Sequence, residues 1–600
     1  MSAFSDIITF TRASAAWRFN SSGVLEQVPA NQPRFDYDPV TLALRGLLIE
    51  EQRTNLHSYS SDIWRYGATR CSLTPNAGVA PDGTLTATRV TATGEYDPII
   101  TRQISIGSSI ASKSFTYTVF INCDNTTQTI ALYLYGGSLG SPEQVASKQF
   151  PAVAGWNRYT ITQAFTADAT STSIVCRVDM ADGVTPVAGS SMLVWGGQLE
   201  QAAFATSSIL TPAAFTSRAS TATYLDASGV MRTAAVNVAR SAAYGYDAAG
   251  VLRPIGLLAE EQRTNLLAVS SDFTSGYGIS ANLTPSVGAA SPISGQSYRR
   301  FTKVAPGASN QVSKTAITLS TGLNTLSVFA RLVNVGQVTL RFYDSIGDAA
   351  TAVLDLSTGS VVRTSGSVLA GTRAEKGPNG SWRFSVTANY TSRDTAGGGI
   401  YFYVGDVAAQ GTAGDAMDLW GAQLEAGAFA TSYIPTAGAQ VTRAADIVTS
   451  AQATRAADVA SVNTLSPWFN PDEGTILAEF TTMGKTGWPG VYSLAPDFFM
   501  YADAANKRTG ISGRGSAGQL FKPVTQLQDT VIRRADSYDL QGMASAQDGA
   551  ATTSNTLPQT TKATGLGLGI GGNYRLNGHL RRVRYFPRRL SNAELQAMTA

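Results

Sequence analysis

The sequence predicts a mainly β protein: tandem β-sandwich (jelly-roll) modules joined by hairpin-rich connectors. Three observations predict it. Abundant Gly (57 residues) with plentiful Thr, Ser and Ala favours short strands and tight turns over helices. Stretches such as SFTYTVFIN from Ser114 and TLSVFARLV from Thr325 alternate, placing Phe115, Tyr117, Val119 and Ile121, or Leu326, Val328 and Ala330, on one face at period two. The text is also duplicated. GLLIEEQRTNL at residues 46–56 returns at 256–266 with only Ile49 changed, to Ala259, and WGGQLEQAAFATSSI from Trp195 returns as WGAQLEAGAFATSYI from Trp420. Repeated modules favour binding and assembly over a duplicated active site.

Along the chain, residues 1–57 read as an N-terminal connector, 58–215 as a first β-sandwich, 216–266 as a second connector, 267–440 as a second sandwich, 441–466 as a linker and 467–600 as a third module. Arg-Ala text marks the joints in succession: TRAS at Thr11, SRAS at Ser217, TRAAD at Thr442 and again at Thr454. In the connectors, Ser22-Gly23 and Ser228-Gly229 stand between strand-like stretches, a hairpin signal because Gly supplies positive φ. Pro33, Pro39 and Pro254 argue against central strands there. In the sandwiches, WNRYTIT at Trp156 and WRFSVTA at Trp382 mark equivalent strands, and the face of Trp195, Gly197 and Leu199 closes the module. The text changes from Pro467. The chain ends in a short helix, with Ser591 as N-cap, Glu594 completing a capping box, and Leu595 and Met598 as its apolar stripe.

Composition and motifs exclude several function classes. A formal charge of +3 on 63 kDa supplies no overall field toward nucleic acid or a membrane, and no run approaches the roughly 20 apolar residues of a span. MSAFSDIITFTRAS lacks the basic start and apolar stretch of a cleaved signal, so a soluble product is expected. Cys71, Cys123 and Cys176 make no CxxC pair and read as buried free thiols of a reducing cytoplasm. His57 and His579 are the only histidines, too few for a multi-His metal site, and His57 aligns with Leu267, which points to packing. HExxH and P-loop motifs are absent. Gly567-Leu-Gly-Ile-Gly-Gly572 matches GxGxxG by spacing, but Asn573-Tyr574-Arg575 leads into another strand and not into a helix.

Glu50-Glu51 and Glu260-Glu261 point to opposite faces of an extended chain and cannot flank one glycosidic bond. Arg53 and Arg263 fall on the face of Glu51 and Glu261 and are expected to pair with them, pinning connector to sandwich. The chain is therefore expected to be no enzyme and to need no cofactor. Asp418 offers a weak calcium signal, its counterpart being Leu193.

Aromatic and basic residues remain as ligand-binding candidates. Tyr133 and Tyr135 share a face, as do Tyr401 and Tyr403, and rings near glycine turns can stack on the apolar faces of sugars. In the third module the candidates are Phe499 and Tyr501, beside Phe498, and Arg582 and Arg584 within the cluster of Arg581, Arg588 and Arg589, suited to an anionic glycan. The third module occurs once and carries both, so recognition of the ligand is expected there.

The order RAS, SSGVLEQVPANQPRFDYDPVT, RGLLIEEQRTNL resembles the fibre and spike proteins of tailed bacteriophages, over most of residues 1–445. The second copy departs from the pattern at RSAAYGYDAAGVLRP. The Trp-Gly-x-Gln-Leu-Glu strands resemble those closing carbohydrate-binding sandwiches, and the text from Gly578 is similar to the end of concanavalin-like and laminin-G-like lectin domains. The resemblance implies a homotrimeric receptor-binding protein on the virion surface, folded in the host cytoplasm and joined to other virion proteins through its N-terminal region. It further implies attachment to a host surface glycan or pilus, without nucleic acid or membrane insertion, and it transfers no catalytic residues. A polysaccharide depolymerase tailspike and a purely structural head decoration are the alternatives; head and tail placement are both open.

Overall fold

The computed structural model describes the chain except residues 1–7, 125–128, 212, 307–309, 392–397, 410, 463, 484–487, 496–497, 504–505, 513–518, 526–529, 557–563 and 572–573. It is mainly β, with 54% strand and 3% helix. No helix among the described residues is long and apolar enough to cross a membrane. The chain forms two compact units. One comprises residues 1–71, 90–212 and 451–600; the other comprises 72–89 and 213–450.

The first unit holds two sandwiches. In the first, a sheet in the order Ser141–Pro151, Thr129–Ser138, Ser173–Asp179, Ile99–Ser105, Gly67–Thr69 faces one built on Asn157–Ala164, Ser114–Cys123 and Ser191–Glu200. Phe115, Tyr117, Val119 and Ile121 all point into the core between them, as their period requires. The Trp-Gly signature has a backbone cause. Opposite Gly196 the ladder between Ser114–Cys123 and Ser191–Glu200 slips between Thr118 and Phe120, and Gly196 takes φ +69° there. Gly421 does the same at φ +67°, whereas the next position accepts Gly197 or Ala422.

The other sandwich of this unit draws strands from both ends of the chain. One sheet runs Thr9–Thr11, Val459–Val462, Gly565–Leu568, Gly490–Ala495, Phe498–Asp503, Arg508–Ser512, Gln519–Pro523. The other runs Arg34–Tyr37, Leu44–Ile49, Gly578–Phe586, Gly474–Phe480, Ile532–Asp539, Gly542–Gln547, Thr553–Asn555. Phe10, Leu47 and Ile49 are buried with Ile476, Met500, Tyr538 and Leu580 in one core. The N-terminal connector thus supplies strands to both sheets. The terminal helix, Asn592–Thr599, covers the outer face of the second sheet, with Leu595 against Leu477, Ala535, Ala544 and Ala546. Its capping box is formed as the sequence predicts.

The second unit repeats the plan of the first sandwich. One sheet runs Gly278–Ile279, Gln311–Ile317, Gly398–Val404, Gln337–Asp344, Gly347–Asp355, Val361–Ser365. Its partner runs Leu283–Ala290, Ser297–Lys303, Ala416–Ala426, Leu323–Leu332, Trp382–Asn389, Leu369–Lys376. The connector folds as a four-stranded sheet with Leu252–Gly256 at its edge, where Pro254 is tolerated. Gly23 and Gly229 take φ +74° and +71° in the predicted hairpin turns.

The repeated motifs converge on one buried ionic cluster per copy, and the clusters show that the joints are nested. In the first unit, Asp458 accepts from Arg12 (3.1 Å), Arg34 and the Glu50 amide (2.9 Å). Glu50 in turn pairs with Arg34 (2.8 Å) and Arg455 (2.9 Å) and accepts from the Ser207 hydroxyl (2.6 Å) and amide (2.7 Å). In the second unit, Asp446 accepts from Arg218 (2.8 Å), Arg240 (2.5 Å) and the Glu260 amide (2.9 Å). Glu260 pairs with Arg240 (2.7 Å) and Arg443 (3.3 Å) and accepts from the Ser432 hydroxyl (2.6 Å) and amide (2.7 Å). The first opening motif therefore closes on the last TRAAD, and the second opens and closes between them.

Candidate functional site

The acidic pairs serve structure. Glu50 is fully buried, which pushes its carboxyl up, yet Arg455, Arg34 and the two Ser207 bonds hold it down to about 2. Arg53 pairs with Glu51 and Arg263 with Glu261, as expected. Asn55, which sequence reasoning passed over, fastens the motif by donating to the carbonyls of Gly197 (3.2 Å) and Ile209 (2.8 Å), and Asn265 repeats this with Ala422 and Ile434. His57 is buried and stacked on Tyr66 at 5.0 Å, and burial lowers it to about 3, so it is a neutral packing group. His579 lies 2.9 Å from Asp36. Cys71 is half-buried, not buried, while Cys123 and Cys176 are buried, and burial raises all three thiols, making them poor nucleophiles at neutral pH. Of the GxGxxG match, Gly572 and Asn573 lie outside the described residues, and Ile570–Gly571 pairs antiparallel with Tyr574–Arg575.

Asp418 is no calcium ligand in this arrangement. Its buried carboxylate is gripped by Arg300 (2.8 and 3.1 Å) and Arg331 (3.2 Å), which leaves it neutralised. Asp97, Asp179 and Asp182 bring carboxylate oxygens within 4.8 Å of one another, but Arg177 pairs with the first two and Tyr133 and Gln149 donate to the third.

The tyrosine candidates lie on the outer faces of equivalent sheets but not at equivalent positions. Tyr133 stands opposite Arg177 in the first sandwich, and Arg341 stands opposite Tyr401 in the second. The ladder slips after Leu134 in one and after Phe342 in the other, which aligns Tyr133 with Arg341, Tyr135 with Tyr343 and Arg177 with Tyr401. Both copies thus keep a cross-strand Arg–Tyr pair with the partners exchanged. In the first, Arg177 lies 4.6 Å over the Tyr133 ring, whose hydroxyl donates to Asp182 (2.8 Å), and Tyr135 is buried. In the second, Tyr401 stacks on Tyr403 (6.3 Å, 25°) and meets Tyr343 edge-on (6.1 Å), while Arg341 lies 4.4 Å over Tyr343. Tyr403 is buried and Tyr401 half-buried, but Tyr343, which the sequence search missed, is 40% exposed. Ser313 flanks Tyr401 in the same row, while Thr351, beside Arg341, is buried with its hydroxyl donating to Asp348 (2.6 Å), which also pairs with Arg341 (3.4 Å).

The candidates of the third module do not form one site. Phe499 and Tyr501 alternate with the core residues Phe498 and Met500, so they face outward from the first sheet, but Tyr501 is buried under neighbouring rings and only Phe499 is half-buried. Arg584 stands opposite Leu477, which packs under the terminal helix, so Arg582 and Arg584 face outward from the second sheet. The thickness of the sandwich separates them. Arg582 pairs with Glu479 (3.2 Å), Arg588 with Glu594 (2.9 Å) and Arg589 with Asp539 (2.5 Å), which disperses the basic cluster; Arg581 and Arg584 pair with no carboxylate among the described residues.

No family model matches the chain, and no curated protein matches it. Among solved structures it is similar to the tandem CBM22 domains of Paenibacillus barcinonensis Xyn10C (7% identity, 63% of this chain, 100% of that one, TM-score 0.19). It is also similar to the LG4-5 domains of the mouse laminin α1 chain (10%, 54% and 94%, TM-score 0.16) and the LG1-3 region of the laminin α2 chain (10%, 82% and 96%, TM-score 0.17). Scores this low carry no argument; the sandwich architecture stands on the strand pairing itself.

Proposed function

We propose that this protein is a non-enzymatic adhesin that holds surface glycans on the outer sheet faces of its sandwiches. The observation that carries the reading is the face of Arg341, Tyr343, Tyr401 and Tyr403, where a solvent-facing ring stands beside a stacked pair and a guanidinium, with the Ser313 hydroxyl in the same row. Rings bury the apolar face of a sugar while the guanidinium and the Ser313 hydroxyl address its oxygens. Single sites of this kind bind weakly, and two sandwiches in one chain, multiplied in a homotrimer, give the avidity adhesion needs. The resemblance of the connectors to tailed-phage fibre and spike proteins supplies the setting: a virion-surface protein that attaches the particle to its host.

The test is adsorption of the labelled full-length chain to host cells before and after enzymatic stripping of surface polysaccharide. Loss of adsorption on stripped cells is expected; equal adsorption would point to a protein receptor such as a pilus. Sustained release of reducing ends from intact polysaccharide would convert the reading to a depolymerase. A monomer mass by light scattering at micromolar concentration would remove the trimer.

A further inference from the structure

The outer face of the first sheet of the C-terminal sandwich carries an aromatic platform larger than the sequence candidates alone. Trp488, just before strand Gly490–Ala495, is 48% exposed and lies over Tyr501 (5.7 Å, 28°). Phe499 adjoins the same ring at 5.7 Å, and Phe521 meets it edge-on at 6.4 Å. Gly510 stands between Tyr501 and Phe521 in the ladder, and a Cβ there would come within 2.8 Å of both rings, so its absence lets them settle on the sheet. Arg508 lies 3.7 Å over Phe521 and pairs with Asp503 at 3.0 Å. Tyr501 is buried beneath its three neighbours, whereas Phe499 and Phe521 are half-buried and Trp488 is exposed, and none of these three belongs to the core cluster of this sandwich.

We propose that Trp488, Phe499 and Phe521, seated on the buried Tyr501 ring, form a second glycan site, specific for uncharged sugar chains. The ligand class follows from the face itself. The exposed Trp488 ring and its half-buried neighbours Phe499 and Phe521 offer flat surfaces that suit the C–H face of a pyranose. Arg508 and Asp503 neutralise each other, so the face offers an acidic sugar no net attraction, while Ser493, Ser512 and Gln519 supply hydroxyl and amide partners beside the rings. The proposal rests on the adhesin reading for its ligand type but uses different residues and a different sandwich.

The experiment titrates the full-length chain and its variants with three neutral hexasaccharides, from cellulose, starch and laminarin, and with an acidic hexasaccharide from polygalacturonate, following tryptophan fluorescence and heat. At least one neutral hexamer is expected to bind and to quench Trp488. Trp488→Ala should weaken it about tenfold or more while Trp488→Phe retains most of the affinity. Circular dichroism melts of both variants should match the wild type, since Trp488 is not a core residue. Unchanged binding by Trp488→Ala, preference for the acidic hexamer, or a lower mass of Trp488→Ala in sedimentation, the mark of a subunit contact, would each overturn the proposal. If Tyr343→Ala with Tyr401→Ala abolishes all binding and Trp488→Ala none, this site falls and the adhesin reading survives. The opposite pattern leaves this site standing and removes the other.

Discussion

Replacing Asp446 by asparagine should loosen one unit and leave the other untouched. Asp446 is buried and receives Arg218 at 2.8 Å, Arg240 at 2.5 Å and the Glu260 amide at 2.9 Å. The asparagine leaves Arg218, Arg240 and Arg443 facing Glu260 as their remaining carboxylate in the cluster, and stripping one partner from a buried ion pair costs about 3–5 kcal/mol. For a unit of this size that is a fall of about 6 to 20 °C in its melting temperature. Hydrogen exchange read peptide by peptide locates the damage. Faster exchange is expected in peptides covering Arg218, Arg240, Glu260 and Arg443, with peptides covering Arg12, Arg34, Glu50 and Arg455 unchanged. Asp458→Asn should give the mirror image. Exchange that rises only within residues 441–466, or equally around both clusters, would refute the nested closure.

Three further outcomes follow from the same contacts. His57→Leu installs the residue of the second copy: burial holds His57 at about 3 against an ordinary 6.5, so its contribution to stability is complete above pH 6.5 and lost as pH falls toward 3, at about 1.4 kcal/mol per pH unit, and the variant should lose less stability across that window in urea titrations. Glu50 works lower: its carboxyl sits at about 2 against an ordinary 4.5, so its share is present above 4.5 and disappears as pH falls toward 2, and Glu50→Gln should flatten that part of the acid limb. Deleting residues 467–600 should yield aggregated protein on size-exclusion chromatography, because Phe10, Leu47 and Ile49 lose the core that buries them.

Much of the fold was legible because the signals were local. Period-two alternation placed Phe115 to Ile121 inward, Ser22-Gly23 turned a hairpin, and Ser591 with Glu594 capped the helix, each needing only a few neighbouring residues. Nesting was not legible, since TRAAD at Thr442 and at Thr454 are the same letters, and only the closure of Asp446 on Arg218 and of Asp458 on Arg12 shows which belongs to which opening. The sharing of strands between residues 9–49 and the C-terminal sandwich was equally hidden, because backbone pairing across hundreds of residues leaves no mark in either segment. At the candidate sites, alternation indicated that Tyr401 and Phe499 lie on sheet faces but not which sheet or which strand. Tyr343, two residues after Arg341, carried the same period-two signal as Tyr401 and was within reach; Trp488 stands outside the regular strands and gave none.

The central claim is that the Arg–Tyr face of the second sandwich holds sugar, and calorimetric titration of the full-length chain with purified host surface polysaccharide tests it most directly. The wild type should bind, and Tyr343→Ala combined with Tyr401→Ala should weaken binding about tenfold or more with the melting curve of the chain preserved. Binding by that double variant at wild-type strength would contradict the claim.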